Sequence, residues 1–198
     1  MDVGRSFTYM LKQPGGIGKL ILGGILMLIP IVGWALVGGY ALRTLRSVAD
    51  GNDTLPEWTD WGDLFVKGLL AWVVSFVFDI PGLVLSRLGT PGSFLSTLWS
   101  IVVLIVLPAA LIRFATRDNF GAAFEFGAII DFIKANSSNY ILAVILGVVA
   151  SIIAGFGVIL LVIGVIFTIF WSAMVWSHLM GSVYRASNAP VGMTAPRA

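Results

Sequence analysis

The sequence predicts an all-α polytopic membrane helical bundle, and three observations predict it. About 44 consecutive residues, Tyr140 to Val183, contain no Lys, Arg, Asp or Glu. One crossing of a bilayer needs roughly 20 apolar residues, so this run is long enough for two. Second, 58% of the 198 residues are hydrophobic and 11% are charged, against about 25% charged in soluble domains. A deficit of that size cannot be hidden in one soluble core, so lipid must cover much of the surface. Third, the apolar residues fall into separate segments, with Gly, Pro and charged residues between them.

Residues 1–185 read as a single membrane domain. Residues 2–13 (DVGRSFTYMLKQ) form a short amphipathic stretch. Phe7, Met10 and Leu11 can share one helical face, with Arg5 and Lys12 at its margin, which suits a helix lying in the interface. Pro14-Gly15-Gly16 breaks it. Residues 17–45 are apolar, with Pro30 and Gly33 in the middle. Spans follow at 64–85 and 94–115, joined through the polar turn Gly89-Thr90-Pro91-Gly92. A second interfacial stretch covers 117–139, where Phe120, Phe124, Ile129 and Phe132 oppose Arg117, Glu125, Asp131 and Lys134. Gly155-Phe156-Gly157 divides the long run into spans 140–157 and 158–184. Residues 186–198 are small, polar and Pro-containing, as expected of a disordered tail.

Segment 17–45 is either one kinked helix or a re-entrant hairpin turning at Pro30–Gly33. Loop charge favours the hairpin. A single crossing puts at best eight Lys/Arg on the cytoplasmic side and four outside. A hairpin puts eleven inside and only Arg87 outside, with both termini cytoplasmic. Its arms of about 13 residues, roughly 20 Å at 1.5 Å per residue, would stop short of the far face. A weak internal repeat points the same way: Gly23 and Gly33 correspond to Gly147 and Gly157, and both apolar hairpins end in Tyr and Arg (Tyr40, Arg43; Tyr184, Arg185).

Several motifs share one order along the chain: GGILMLIPIVG (Gly23–Gly33), Gly39-Tyr40-x-x-Arg43, Leu55-Pro56-Glu57-Trp58-x-x-Trp61, Phe167-Thr168-x-Phe170 and His178-x-x-Gly181. In these the chain resembles the DUF4013 family of prokaryotic integral membrane proteins. The resemblance covers nearly the whole chain, and Leu-Pro-Glu-Trp is its most specific part. It implies a small multi-span protein of a prokaryotic cell (inner) membrane and carries no catalytic residues with it.

The candidate polar site inside the membrane is Asp79, with His178 and Arg87 as partners for a proton or cation relay. A carboxylate at membrane depth costs on the order of 3 kcal/mol, which an outer-interface position near Arg87 would avoid. His178, the single His, could titrate near neutral pH or make a structural hydrogen bond. The loop Asp50–Asp63 gathers Asp50, Asp53, Glu57, Asp60 and Asp63. Carboxylates suit a hard cation, but the EF-hand spacing is absent. The plainer reading is an interfacial cap, with Leu55, Pro56 and Glu57 leading into a helix and Trp58 and Trp61 seated at the headgroups. Phe167, Phe170, Trp171 and Trp176 could line a pigment, quinone or lipid pocket, or simply pack. The many glycines fit close internal helix packing better than one oligomer face.

No nucleophile elbow, HExxH, Walker A or dinucleotide fingerprint occurs, and the chain has no Cys. The expectation is a non-enzymatic scaffold or accessory subunit of a membrane complex, or a membrane-shaping protein. It would have no metal and no cofactor. Its partners would be the lipid bilayer, a larger complex or a second copy, and not nucleic acid. Two alternatives stand beside it: a small transporter or channel using Asp79, and a lipid-active membrane enzyme using the acidic loop.

Overall fold

A computed structural model describes residues 3–156 and 163–188. No strand occurs among them. The helices are α1 (Val3–Thr8), α2 (Gly16–Met27), α3 (Val32–Ala49), α4 (Trp61–Ser86), α5 (Gly89–Arg117), α6 (Phe126–Ala135), α7 (Ser137–Gly155) and α8 (Ile163–Asn188), with a 3₁₀ turn at Phe120–Phe124. Four are long and apolar enough to cross a membrane: α4, α5, α7 and the Ile166–Ser187 part of α8. The all-α membrane-type bundle expected from sequence is therefore what the chain forms. The division expected at Gly157 lies outside the described residues, as do residues 189–198 of the tail expected at 186–198; residues 186–188 belong to α8 instead, because the helix runs on past the end of the apolar run.

The segment 17–45 folds back on itself. α2 and α3 are separated by Leu28–Ile31, and both outer ends reach one loop. Lys19 Nζ donates to the Leu55 carbonyl at 2.9 Å, and Arg43 Nη1 donates to the Thr59 carbonyl at 2.7 Å. A straight kinked helix would hold those two residues far apart. The tip is a γ-turn in which Val32 N–H donates to the Pro30 carbonyl at 2.7 Å around Ile31, whose φ is 65°. That geometry is rare and strained, and a β-branched residue there is an outlier. Such strain costs of order 1–3 kcal/mol. Ile31→Gly is therefore expected to raise stability by about 1 kcal/mol, read as a higher thermal midpoint in detergent; an unchanged midpoint would show that the tip is relaxed.

The hairpin is short. Its tip lies beside α4 at Trp72, where the Trp34 and Trp72 rings are 6.3 Å apart. From there α4 runs on to Ser86, about 20 Å farther at 1.5 Å per residue. α4 packs along α5, and α7 along α8, much more extensively than either pair packs on the other. α3 joins the two pairs, lying against both α4 and α8. Its approach to α4 is backbone to backbone. A Cβ on Gly39 would fall on the Leu64 carbonyl, and one on Gly68 would fall on the Ala35 carbonyl. Close approach through small residues is how membrane helices gain contact without a hydrophobic drive between them.

Three details differ from the expectation. The stretch 2–13 does not stay helical: α1 ends at Thr8, and Met10 is buried while Leu11 is exposed. The segment is held on α8 instead. Ser6 Oγ lies 2.9 Å from His178 Nδ1, the Tyr9 ring is 4.4 Å from the His178 ring, and Trp171 Nε1 donates to the Phe7 carbonyl at 3.2 Å. The stretch 117–139 is not one helix, because Asp118 takes a left-handed φ of 52° and ends α5. Phe120 and Phe124 then pack inward, on Phe114 and Phe78. The expected turn Gly89–Gly92 is already the first turn of α5. Proline is tolerated in a first turn because its missing N–H would have had no partner there.

Candidate functional site

The Leu-Pro-Glu-Trp segment clamps the hairpin. The Leu55 carbonyl accepts from Lys19 Nζ, and the Glu57 carboxylate accepts from the same ammonium at 2.8 Å. The Pro56 carbonyl accepts from the Tyr40 hydroxyl at 2.7 Å. The Trp58 ring stacks on Tyr40 at 3.9 Å with 8° between planes, and sits 5.9 Å from Phe170 of α8. Leu55 is buried. Leu55 and Glu57 thus grip α2, Pro56 and Trp58 grip α3, and Trp58 also reaches α8. Trp58 is not seated at a surface as the sequence suggested: it is half-buried, and its Nε1 is buried with no hydrogen-bond partner among the described residues. Trp61, which is exposed, does open α4. Glu57 caps no helix; its charge goes to Lys19.

A chain of ion pairs joins α3, α4 and α5 where their charged ends meet. Arg46 Nη1 lies 3.1 Å from Asp118, Lys67 Nζ lies 2.9 Å from Asp118 and 3.2 Å from Asp63, and Arg43 Nη2 lies 3.2 Å from Asp63. Arg43 also reaches Asp60, and Arg46 reaches Asp50. Single exposed pairs contribute little, about 0–1 kcal/mol, but here each carboxylate in the middle serves two cations. The hydrogen bond from Lys67, and then that from Arg46, hold the Asp118 carboxyl below its ordinary value against the opposing effect of partial burial. A carboxylate with a lowered pKa in the folded state adds stability above the unfolded pKa. That stability is lost as pH falls through the folded pKa. Stability should therefore drop between about pH 4 and lower values, and Asp118→Asn should flatten that part of the profile in acid titration followed by circular dichroism. An unaltered profile would remove Asp118 from the clasp.

Between α3, α4, α5 and α8 lies a cavity of about 600 Å³, open to one side. Small residues make the room, among them Gly38, Ala41, Ala71 and Ala173, and Trp72 and Trp176 flank it. Its hydroxyls are spent on their own helices. Ser75 donates to the Ala71 carbonyl, Ser100 to the Ser96 carbonyl and Ser177 to the Ala173 carbonyl, each at 2.9–3.0 Å. The space is open to its surroundings and its walls are almost wholly apolar, so its chemistry is that of hydrocarbon.

The three residues of the proposed relay are not brought together. Asp79 is exposed on α4, and no ion pair of it occurs among the described residues. Arg87 ends α4, also exposed, eight residues on. His178 is buried on α8 and faces Ser6 and Tyr9 of the N-terminal segment. Asp79→Asn should accordingly leave stability within about 0.5 kcal/mol of wild type, measured by thermal unfolding; a larger change would reveal a partner. Among the described residues no group of three His, Asp or Glu could hold a metal ion. The acids of the 50–63 loop are directed instead to Lys19, Arg43, Arg46, Lys67 and Arg185. Phe167, Phe170, Trp171 and Trp176 do not line one pocket. Phe170 and Phe167 fill the space left by Gly23 and Gly24 of α2, Trp171 meets Phe7, and Trp176 lies on Gly147.

Lys19, Tyr40, Arg46, Lys67 and Asp118 were not singled out as site residues from sequence, although Tyr40 and Arg43 stood in a motif. Basic residues near helix ends read as topology markers, and only the fold shows which carboxylates meet them.

A helical bundle with four crossing-length apolar helices, a half-length hairpin and a charged clasp is a membrane-type protein. Its sequence matches the family described as "Protein of unknown function (DUF4013)" over residues 22–163. The chain belongs to the DUF4013 family. It is 26% identical over 156 residues to an uncharacterised protein of the archaeon Methanocaldococcus jannaschii, covering 68% of this chain and 53% of that one. The chain thus spans about half the length of that prokaryotic relative. No solved structure matches.

Proposed function

We propose that this chain is a non-enzymatic integral membrane scaffold that shapes the bilayer through the α2–α3 hairpin. One observation carries the reading: the hairpin stops beside Trp72 while α4 continues for about 20 Å. Helices at the clamped end therefore outnumber those beyond the tip, and the molecule has a wider cross-section in one half of its depth. The outward face of α2 presents Ile17, Ile21 and Ile25, all exposed and one turn apart, which suits contact with lipid chains. The positive-inside rule places the clamped end, with both termini, on the cytoplasmic side. A single Cys at Gly51 in this Cys-free chain should then resist an impermeant reagent added outside.

The deciding experiment uses membrane tubes pulled from giant vesicles holding the full-length protein. Wild type should be enriched in the tubes relative to the flat membrane. A variant with about fourteen apolar residues added on each side of the tip, enough at 1.5 Å per residue to reach as far as α4, should lose the enrichment. Equal distribution of both proteins would overturn the wedge. An accessory role in a larger complex is the partnered form of the same reading. Purification from native membranes in mild detergent should then yield a stoichiometric companion.

A further inference from the structure

We propose that the cavity between α3, α4, α5 and α8, together with the charged cleft beside it, is a binding site for one membrane amphiphile. Its hydrocarbon chain would occupy the cavity, and its phosphate headgroup would lie in the cleft. The inference is independent of the wedge, since the hairpin could shape the bilayer with this site filled or plugged.

The tail assignment follows from the walls. Three serines line the cavity, and each donates its hydroxyl proton to a carbonyl of its own helix. The serine hydroxyls are therefore not spare donors, the remaining walls are almost wholly apolar, and apolar cavities do not hold water. A volume of about 600 Å³ lies within the ~300–1,000 Å³ usual for small-molecule sites. The opening is lateral and lies between helices of crossing length, so bilayer hydrocarbon is what it meets.

The headgroup assignment follows from what lies one turn farther along the same helices. Leu42 lines both the cavity and a second cleft of about 220 Å³. On α4 the wall passes from Ala71 to Lys67, and on α5 from Leu111 to Ala115 and Asp118. The cleft is lined by Arg43, Arg46 and Lys67 with Asp63 and Asp118, while Asp60 and Asp50, which do not line it, reach Arg43 and Arg46 at 3.7 and 3.8 Å. Donors remain. Lys67 has three N–H groups for two carboxylate partners, and Arg46 has five with contacts through Nε and Nη1. A phosphate oxygen can share these cations, because charge-assisted bonds from Arg and Lys suit it. Apolar walls leading into an end with unspent Arg and Lys N–H donors match the order of parts in a phospholipid.

The test is native mass spectrometry of the full-length protein in micelles doped with phosphatidylglycerol or with diacylglycerol of the same chains. A one-to-one phosphatidylglycerol adduct should survive activation and exceed the diacylglycerol adduct at least tenfold. Ala173→Phe, which fills the cavity, should cut that adduct at least tenfold. The Arg46→Gln, Lys67→Gln pair should bring it down to the diacylglycerol level. Should the plugged variant fail to fold, phosphatidylglycerol with brominated chains gives a second readout. It should quench wild-type fluorescence saturably, and the saturable part should disappear in a Trp72→Phe, Trp176→Phe protein. Equal adducts in wild type and a folded Ala173→Phe protein, or quenching that never saturates, would overturn the site. Equal binding of the two lipids would overturn the phosphate assignment. A lipid-free dimer that Ala173→Phe dissociates would give the cavity to a second copy instead.

Discussion

Gly68→Val is expected to abolish the folded bundle. The new side chain would begin on the Ala35 carbonyl oxygen, which is helix backbone and cannot rotate aside. Overpacking a core usually costs about 1–3 kcal/mol, occasionally more, because side chains shift to absorb it. Here α3 and α4 must separate as rigid bodies. Separation would also pull apart Gly39 and Leu64, which meet in the same way, and would strain the Arg43–Asp63 pair on the same two helices. The loss should therefore exceed about 3 kcal/mol and appear as aggregated or unextractable protein in size-exclusion chromatography. Gly62→Ala is the matched control, because a Cβ there meets nothing within 4 Å. If Gly68→Val migrates as wild type does, the two helices are not in backbone contact.

Trp58→Ala should free the hairpin without unfolding the rest. Truncating a large buried aromatic costs about 3–5 kcal/mol, and a half-buried Trp belongs at the lower end, about 3 kcal/mol. The loss falls on the stack with Tyr40 and the contact with Phe170, which tie α3 to α8 through the loop. Tyr40→Phe removes only the hydrogen bond to the Pro56 carbonyl. It should cost about 0.5–1.5 kcal/mol, somewhat more if that carbonyl then finds no other donor. Hydrogen exchange followed by mass spectrometry separates the two outcomes. Amides of Gly16–Met27 should lose protection in Trp58→Ala, while those of α4 and α5 keep it. Unchanged protection in α2 would show that the segment is not a clamp.

How much could be read beforehand is clearest from particular elements. The spans were legible because a stretch such as Tyr140–Val183 without one charge has no other stable home. The hairpin was legible, less directly, from eleven Lys/Arg against one. The bounds were less legible. α5 begins at Gly89 and α7 at Ser137 without a side-chain cap at either start, and α5 ends at the left-handed Asp118; composition says little about any of these ends. Trp58 misled for a related reason. A tryptophan near a predicted interface fits headgroups as well as it fits a protein stack, and local sequence does not contain Tyr40 or Phe170. Asp79 drew interest because carboxylates are rare in apolar runs. Its place on an exposed face near the end of α4 makes it the less informative acid, while Asp118, outside the apolar segments, joins three helices.

The sequence by itself determined the solvent of this protein, its helical class, the number of crossing-length segments and the family to which it belongs. These depend on composition and periodicity, which are properties of the chain read in order. Only the tertiary structure decided that the hairpin ends at Trp72, that Leu55–Trp58 grips it from three sides, that Arg46, Lys67 and Asp118 meet, and that small residues on four helices leave one cavity. Each of those joins residues distant in the chain. What brings them together is backbone approach at Gly39 and Gly68 and the pairing of partly exposed charges, which depend on how helices pack and not on which residues are adjacent in sequence.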